Sequence, residues 1–343
     1  MAQTFDTILR DLKNKVYAPV YLLQGEEPYY IDQISDYLEK NVLDEMEKEF
    51  NQTIVYGKDT DALTLVSAAK RYPMMSNYQL IIVKEAQDLK ALNKKDSAND
   101  ELNPIEVYLQ NPVPSTILVF CFKYKKIDGR SKLAKLFDTK AVVFESIKLK
   151  ESAIPAWVKN YCTQNHYKIQ DQANNLIAEY LGNDLSKVSN ALDKLMINIP
   201  NSETINTTHI ETYIGISKEY NVFELNNALA RKDVLKANKI IQYFGANTKA
   251  NPLVLVLANL YSFFYKVIGM HAIPNRKDAG VALGINFYFV GEYETAARNY
   301  SLPKLVSIIA CLRDTDLKSK GLGNTSAQTD AHLLKELIYK ILH

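Results

Sequence analysis

The sequence predicts an α/β layer domain followed by a region built of helices alone. Two observations carry this. Short, nearly continuous apolar runs alternate with amphipathic helical stretches through about residue 145, the pattern of a parallel sheet covered on both faces. From about residue 148 onward the apolar residues recur at helical spacing only.

The elements follow in order. Phe5, Ile8, Leu9 and Leu12 share one helical face, and Lys13 and Lys15 close that opening helix. Pro19 introduces the apolar run 20–23, which ends at Gly25. Pro28 suits the first turn of the next helix, which carries Ile31, Ile34, Tyr37 and Leu38 on one side. Residues 53–56 read as a second strand, and Asp59 or Thr60 can cap a helix bearing Leu63, Val66 and Ala69. Runs at 80–83, 116–122 and 141–144 complete a sheet of roughly five strands. The polar stretch 90–103 (KALNKKDSANDELN) precedes a helix started by Pro104. A loop of that length is either functional or disordered, and its composition favours disorder.

Beyond it, Ala173, Leu176, Ile177, Tyr180 and Leu181 form a helical face that stops at Gly182-Asn183. Asp184 caps a second helix with Leu185, Val188, Ala191, Leu192 and Leu195. Residues 198–208 read as a loop before a short helix at 209–213, and Gly215 as a hinge. A last helical region begins near Phe223, with long apolar faces at 253–265 and 305–312. The stretches 252–269 and 302–312 carry more apolar residues than one buried stripe requires. They either face other subunits or fill a thick internal core. No tandem period of 20–50 residues suggests a solenoid.

Composition narrows the function. The 343 residues fit two or three domains. Hydrophobic residues at 47% and charged residues at 23% exclude disorder and fibrous repeats. Lys plus Arg number 41 against 39 for Asp plus Glu, and a net charge of +2 excludes a polybasic, histone-like protein. No apolar run approaches the roughly 18 to 20 residues a membrane span needs, and the first residues are too charged for a signal peptide. Cys121, Cys162 and Cys311 are far apart and unpaired by spacing. Reduced thiols, a cytoplasmic location and no zinc site follow.

The turn after the first strand is where a phosphate-binding loop would lie. Such a loop needs glycines, a lysine and a Ser or Thr for magnesium. Here it reads Gln24-Gly25-Glu26-Glu27-Pro28. Two carboxylates occupy the place of a triphosphate, and Pro28 lacks an N–H donor. At a separation of ~5 Å this repulsion is on the order of several kcal/mol, so no nucleotide is expected at Gly25, Glu26 and Glu27. The five histidines show no HExxH spacing and no GxSxG elbow occurs. Cys162 and His166, four apart, are either a reactive pair or ordinary packing. Asp314 and Asp316 either bind a metal or cap a helix. No catalytic residue, metal site or cofactor is predicted.

Several segments together resemble the delta subunit of the bacterial DNA polymerase III clamp loader. They are 19–29 (PVYLLQGEEPY), 73–76 (PMMS) before 79–83 (QLIIV), 126–133 (KIDGRSKL), 221–225 (NVFEL) and 317–321 (LKSKG). The resemblance implies a degenerate AAA+ domain over 1–145, a small helical lid domain over 146–215 and a helical collar domain over 216–343. It implies a non-catalytic subunit of the polymerase III holoenzyme, without intrinsic ATPase. Such a subunit binds the sliding clamp (beta), opens it for loading onto primed DNA during replication, and joins gamma/tau and delta-prime subunits through the collar.

The family's clamp contact is a bulky apolar pair, often Leu-Phe, between a helix and the third strand. Met74 and Met75 match it, bracketed by Pro73 and Ser76, and Tyr72 and Tyr78 can widen it. Burying two such side chains is worth roughly 3 to 6 kcal/mol before ordering costs; alternatively the pair merely packs a helix–strand corner. Lys123, Lys125, Lys126, Arg130, Lys132 and Lys135 cluster around one strand end. They either meet DNA phosphates, with Lys125, Lys126, Arg130 and Lys132 the candidates, or form a solvated face. Tyr124 alone makes no base-stacking platform. Two other readings of the scaffold are a nucleotide-hydrolysing AAA+ enzyme with an unusual phosphate loop and a DNA-repair adaptor.

Overall fold

The computed structural model describes residues 3–93, 103–215, 217, 220–273, 276–285, 289–322 and 329–343. The chain divides into two compact units, Met1–Leu149 and Lys150–His343.

In the first unit the order is α1 (Phe5–Lys13), β1 (Val20–Gly25), α2 (Pro28–Asn41), α3 (Glu45–Asn51), β2 (Gln52–Tyr56) and α4 (Ala62–Ala69). It continues with β3 (Gln79–Lys84), α5 (Pro104–Gln110), β4 (Thr116–Lys123), α6 (Lys132–Lys140) and β5 (Val142–Ser146). The strands are all parallel, in the order β2-β3-β4-β1-β5. Register sets Leu22 beside Phe120 and Val143, and Leu23 beside Cys121 and Phe144.

Successive strand side chains point to opposite faces. Leu23, Ile82, Val119 and Cys121 pack with Ile8 and Leu12 of α1 and with Ile31, Ile34 and Leu38 of α2. Leu22, Val83, Phe120 and Phe122 pack with Leu65 and Val66 of α4, Tyr108 of α5 and Phe137 of α6. Both faces of the sheet are therefore buried, which is why its central strands read as unbroken apolar runs. The connections out of β1 and β4 leave in opposite directions, so their carboxyl ends form the crevice in which such sheets bind ligands.

Helix starts follow side-chain chemistry. Asp44 and Glu47 form a reciprocal capping box at α3, a helix of seven residues, too short to show in the periodicity. Asp61 caps α4, accepting from the N–H groups of Leu63 and Thr64, so the cap falls one residue beyond the expected Asp59 or Thr60. Asn103 caps α5 ahead of Pro104, and Ser131 caps α6. Residues 90–92 form a single 3-10 turn; 94–102, where disorder was expected, lie outside the described residues.

The second unit begins with α7 (Ile154–Gln164), α8 (Asp171–Leu181), α9 (Leu185–Asn198) and α10 (Thr207–Ile214). It is not purely helical: β6 (Lys168–Ile169) and β7 (Thr204–Ile205) pair in parallel. Two-residue strands carry no readable alternation, so 198–208 looked like loop. Gly182 and Gly215 terminate α8 and α10 at positive φ of 66° and 84°, the conformation glycine adopts without strain.

There follow α11 (Val222–Ala230), α12 (Val234–Ala246), α13 (Leu253–Ala272), α14 (Arg276–Leu283), α15 (Val290–Asn299), α16 (Leu302–Ser319) and α17 (Asp330–Leu342). α13 is long and apolar enough to cross a membrane by length and composition. This corrects the reading that no run approaches that length. Leu253, Val256, Leu257, Leu260, Phe263, Phe264 and Val267 are nevertheless buried within the helical core. The opposite face of α13 leaves Val254, Leu255, Tyr261 and Tyr265 exposed, as are Val306 of α16 and Tyr339 of α17. Tyr300, fully buried, donates from its hydroxyl to the carbonyl of Leu229, and Asn299 donates to that of Ala230. The end of α11 is thereby satisfied in the interior.

Candidate functional site

At the carboxyl edge of the sheet, β1 turns into α2 through Gly25, Glu26 and Glu27. A phosphate bound there would need free backbone N–H groups. Gly25 N–H instead donates to the carbonyl of Lys125 at 3.1 Å, and Glu27 N–H points to that of Ser146 at 3.4 Å. Tyr29 N–H donates to Glu27 Oε1 at 3.0 Å. Glu27 is 3% exposed and lays its own carboxylate on the first turn of α2, where the positive end of the helix favours negative charge.

The turn is also closed sterically. Gly25 has φ +136°, and a Cβ there would stand 2.0 Å from the Ser146 carbonyl oxygen. Gln24 Oε1 accepts from Ile127 N–H at 3.0 Å, tying the segment after β4 across the same edge.

The loop between α4 and β3 has the opposite character. Its start is tied down by Gln79, whose Nε2 donates to Thr116 Oγ1 and to the carbonyl of Arg71. Its middle is held by Asn51 at the end of α3, bonded through both side-chain atoms to the backbone of Met74. Ser76 Oγ accepts from Tyr78 N–H at 3.3 Å. Above these anchors the side chains project: Tyr72 is 83% exposed, Met74 62% and Met75 101%. Met75 has φ +53°, a left-handed backbone uncommon outside glycine. Pro73 is half-buried, and Tyr78 turns inward against Tyr17, with ring centroids 5.3 Å apart.

The methionines therefore do not pack the corner. Nearby, Met46 and Phe50 on α3 and Ile54 and Tyr56 on the edge strand β2 are exposed as well. Asn51 is the residue the sequence did not single out. Its only signal is an Asn between a short helix and a strand, and its partner lies 23 positions away.

The basic cluster is largely paired with acids. Lys126 meets Glu145 at 2.8 Å, Arg130 meets Asp128 at 2.8 Å and Lys132 meets Glu106 at 3.0 Å. Lys123 is held by Asp32 and Glu85. The ammonium of Lys125 lies 5.8 Å from the centre of the Phe122 ring. Lys125, Lys126, Arg130 and Lys132 are exposed at the carboxyl end of β4 and the start of α6, and Tyr124 projects beside them.

Other pairings dissolve in three dimensions. Cys162 is buried in α7, while His166 lies exposed beyond that helix. Burial pushes the Cys162 thiol up to about 11 and that of Cys121 to about 12, so neither supplies a thiolate near neutral pH. Asp314 and Asp316 sit inside α16 rather than at its cap, bridged to Arg313 and Lys320. Among the described residues no three His, Cys, Asp or Glu side chains converge as metal ligands.

A five-stranded parallel sheet of this order, a phosphate slot filled by its own glutamate, and a helical second unit define an AAA+-like α/β fold followed by helices. Residues 21–146 match the family described as DNA polymerase III, delta subunit. The curated DNA polymerase III subunit delta of Bacillus subtilis (strain 168) is 25% identical over 261 residues, 76% of this chain and 74% of that protein. The solved Bacillus subtilis DNA clamp loader delta protein superposes with a TM-score of 0.65 at 21% identity, covering 98% of this chain and 99% of that one. Over most of its length the chain is thus similar to the delta subunit of DNA polymerase III, the family that the sequence segments resemble.

Proposed function

We propose that this chain is the subunit that grips the ring-shaped sliding clamp and holds one of its interfaces open, without hydrolysing nucleotide itself. The observation that carries this is the Met74–Met75 loop: two apolar side chains extended into solvent from a backbone anchored beneath them. A rigid apolar prong of this kind loses little entropy on docking, so most of its burial energy is retained. Tyr72 and Pro73 flank the prong and widen the contact. Sealing of the turn at Gly25, Glu26 and Glu27 supports the absence of ATP chemistry.

In this reading residues 1–145 form the AAA+-like clamp-binding domain, 146–215 a lid and 216–343 a collar. The exposed apolar faces of α13 and α16 then dock gamma/tau and delta-prime subunits. Lys125, Lys126, Arg130 and Lys132 meet primed DNA within the assembled loader, where Lys126, Arg130 and Lys132 exchange their carboxylate partners for phosphates. Such contacts weaken as salt rises. The work is done in the cytoplasm, where the chromosome is replicated.

Equilibrium binding of the full chain to purified sliding clamp, without nucleotide, tests the reading. Met74→Ala combined with Met75→Ala should weaken binding at least tenfold. Unchanged affinity removes these residues from the interface, and saturable binding of ATP by the chain alone, measured by calorimetry, revives the enzymatic alternative.

A further inference from the structure

The methionines of this chain are unevenly placed. Of the six, Met1 lies outside the described residues. Met270 is 9% exposed and packs with Ala279 and Ile285, and Met196 is half-buried on α9. Met46, Met74 and Met75 are exposed, and all three stand around one anchor. Asn51 ends the helix that carries Met46, and its side chain holds the backbone of Met74.

This placement decides what oxidation would do. A thioether is converted to a sulfoxide by oxidants that reach its sulfur, and the product is polar where the parent was apolar. Met75 is 101% exposed and Met74 62%. Asn51 and Gln79 pin the backbone beneath them, so the side chains stay outside the domain instead of folding back into it. In the unbound chain an added oxygen meets water and disturbs no packing. On docking, the same oxygen must leave water, and burying a strong hydrogen-bond acceptor without a donor is costly. Oxidation at the loop therefore acts on binding and spares the fold. At Met270 it would do the reverse.

We propose that Met74 and Met75 form a reversible oxidation site, where a peroxide turns the apolar prong into methionine sulfoxide and disables its grip. The proposal rests on the reading of this loop as the clamp contact. A sulfur lone pair attacks one peroxide oxygen; the S–O bond forms and the O–O bond breaks. The departing hydroxide takes up the proton released from the transferred oxygen and leaves as water. Sulfur gives up two electrons and the peroxide gains them. In the return step a methionine sulfoxide reductase draws two electrons and two protons from a dithiol, the oxygen leaves as water, and a disulfide remains. One reductase serves each sulfoxide epimer, and the exposed loop is open to both.

Limited treatment of the full chain with hydrogen peroxide, stopped by catalase, tests the site. Peptide mass spectrometry should find an added oxygen at Met74 and Met75 at least tenfold sooner than at Met270. The treated chain should melt at the same temperature as untreated chain, yet bind purified sliding clamp at least tenfold more weakly. Dithiothreitol alone, which reverses mild thiol oxidation such as at the half-buried Cys311, should not restore binding. Dithiothreitol with both sulfoxide reductases should. Met74→Leu combined with Met75→Leu keeps the apolar bulk without sulfur, so peroxide should leave the affinity of that variant where it stood. Met46→Leu should lose affinity on treatment as wild type does. Oxidation of Met270 as fast as of the pair, or an equal peroxide effect in the double variant, overturns the proposal. Untreated chain that fails to bind clamp overturns the clamp reading as well, whereas tight binding that peroxide leaves intact overturns the oxidation site alone.

Discussion

The carboxamide of Asn51 closes a two-bond ring on the backbone of Met74: Nδ2 donates to the Met74 carbonyl at 2.9 Å, and Oδ1 accepts from its N–H at 2.6 Å. Asn51 is 4% exposed, so the anchor lies inside the domain and the prong outside it. Asn51→Ala leaves both Met74 groups without their partner. We expect a stability loss of about 1–3 kcal/mol by chemical denaturation, together with weaker clamp binding although no contacting side chain has changed. Asn51→Asp keeps the acceptor for the Met74 N–H and should recover part of both losses.

At Met75, stability and function should separate. The left-handed backbone costs an L-residue roughly 1–2 kcal/mol and glycine far less. Met75→Gly is expected to be as stable as wild type or up to ~1 kcal/mol more so, yet to bind clamp several-fold more weakly. Paired thermal melts and binding isotherms read the two effects. A parallel decline of both would mean that the side chain supports the fold instead.

Gly25→Ala should be among the most damaging single-methyl additions in the first unit. The atom it meets, the Ser146 carbonyl oxygen, belongs to backbone and cannot swing aside. A loss of about 2–4 kcal/mol is expected in denaturant unfolding. A loss below ~0.5 kcal/mol, the range of ordinary surface changes, would show that the turn yields easily.

Glu179 predicts a pH dependence of stability. Burial, with the charges of Glu292 and Glu224 added, pushes its carboxyl up to about 9 in the folded chain against 4.5 as the ordinary value, so above pH 4.5 the unfolded chain releases a proton that the folded chain keeps. Stability therefore falls as pH rises from about 4.5 toward 9, and this contribution is flat beyond. Glu179→Gln should melt at a higher temperature than wild type at pH 8.5 and at the same temperature near pH 4.5. Differential scanning calorimetry at the two pH values is the check, and a pH-independent difference would contradict the assignment.

Much of the first unit was legible because its physics is local. Pro28, Asn103-Pro104 and Ser131 mark helix starts by their own chemistry, and a strand buried on both faces must be apolar at every position. α3 and the β6–β7 pair escaped because seven-residue helices and two-residue strands contain too few positions to display a period. α13 misled in another way: its 20 residues are apolar enough for a bilayer, and only its neighbours in the helical core account for the buried side.

By itself the sequence determined the layer architecture, the charges set against a phosphate at Glu26 and Glu27, and the apolar pair at Met74 and Met75. These depend on which residue types stand next to one another along the chain. Tertiary structure alone decided that Met75 projects and Tyr78 does not, that most of the basic cluster is matched by carboxylates, and that Glu179 lies close to Glu224 and Glu292. Each of those depends on partners tens of residues distant, and no local pattern encodes the distance between two side chains that only folding brings together.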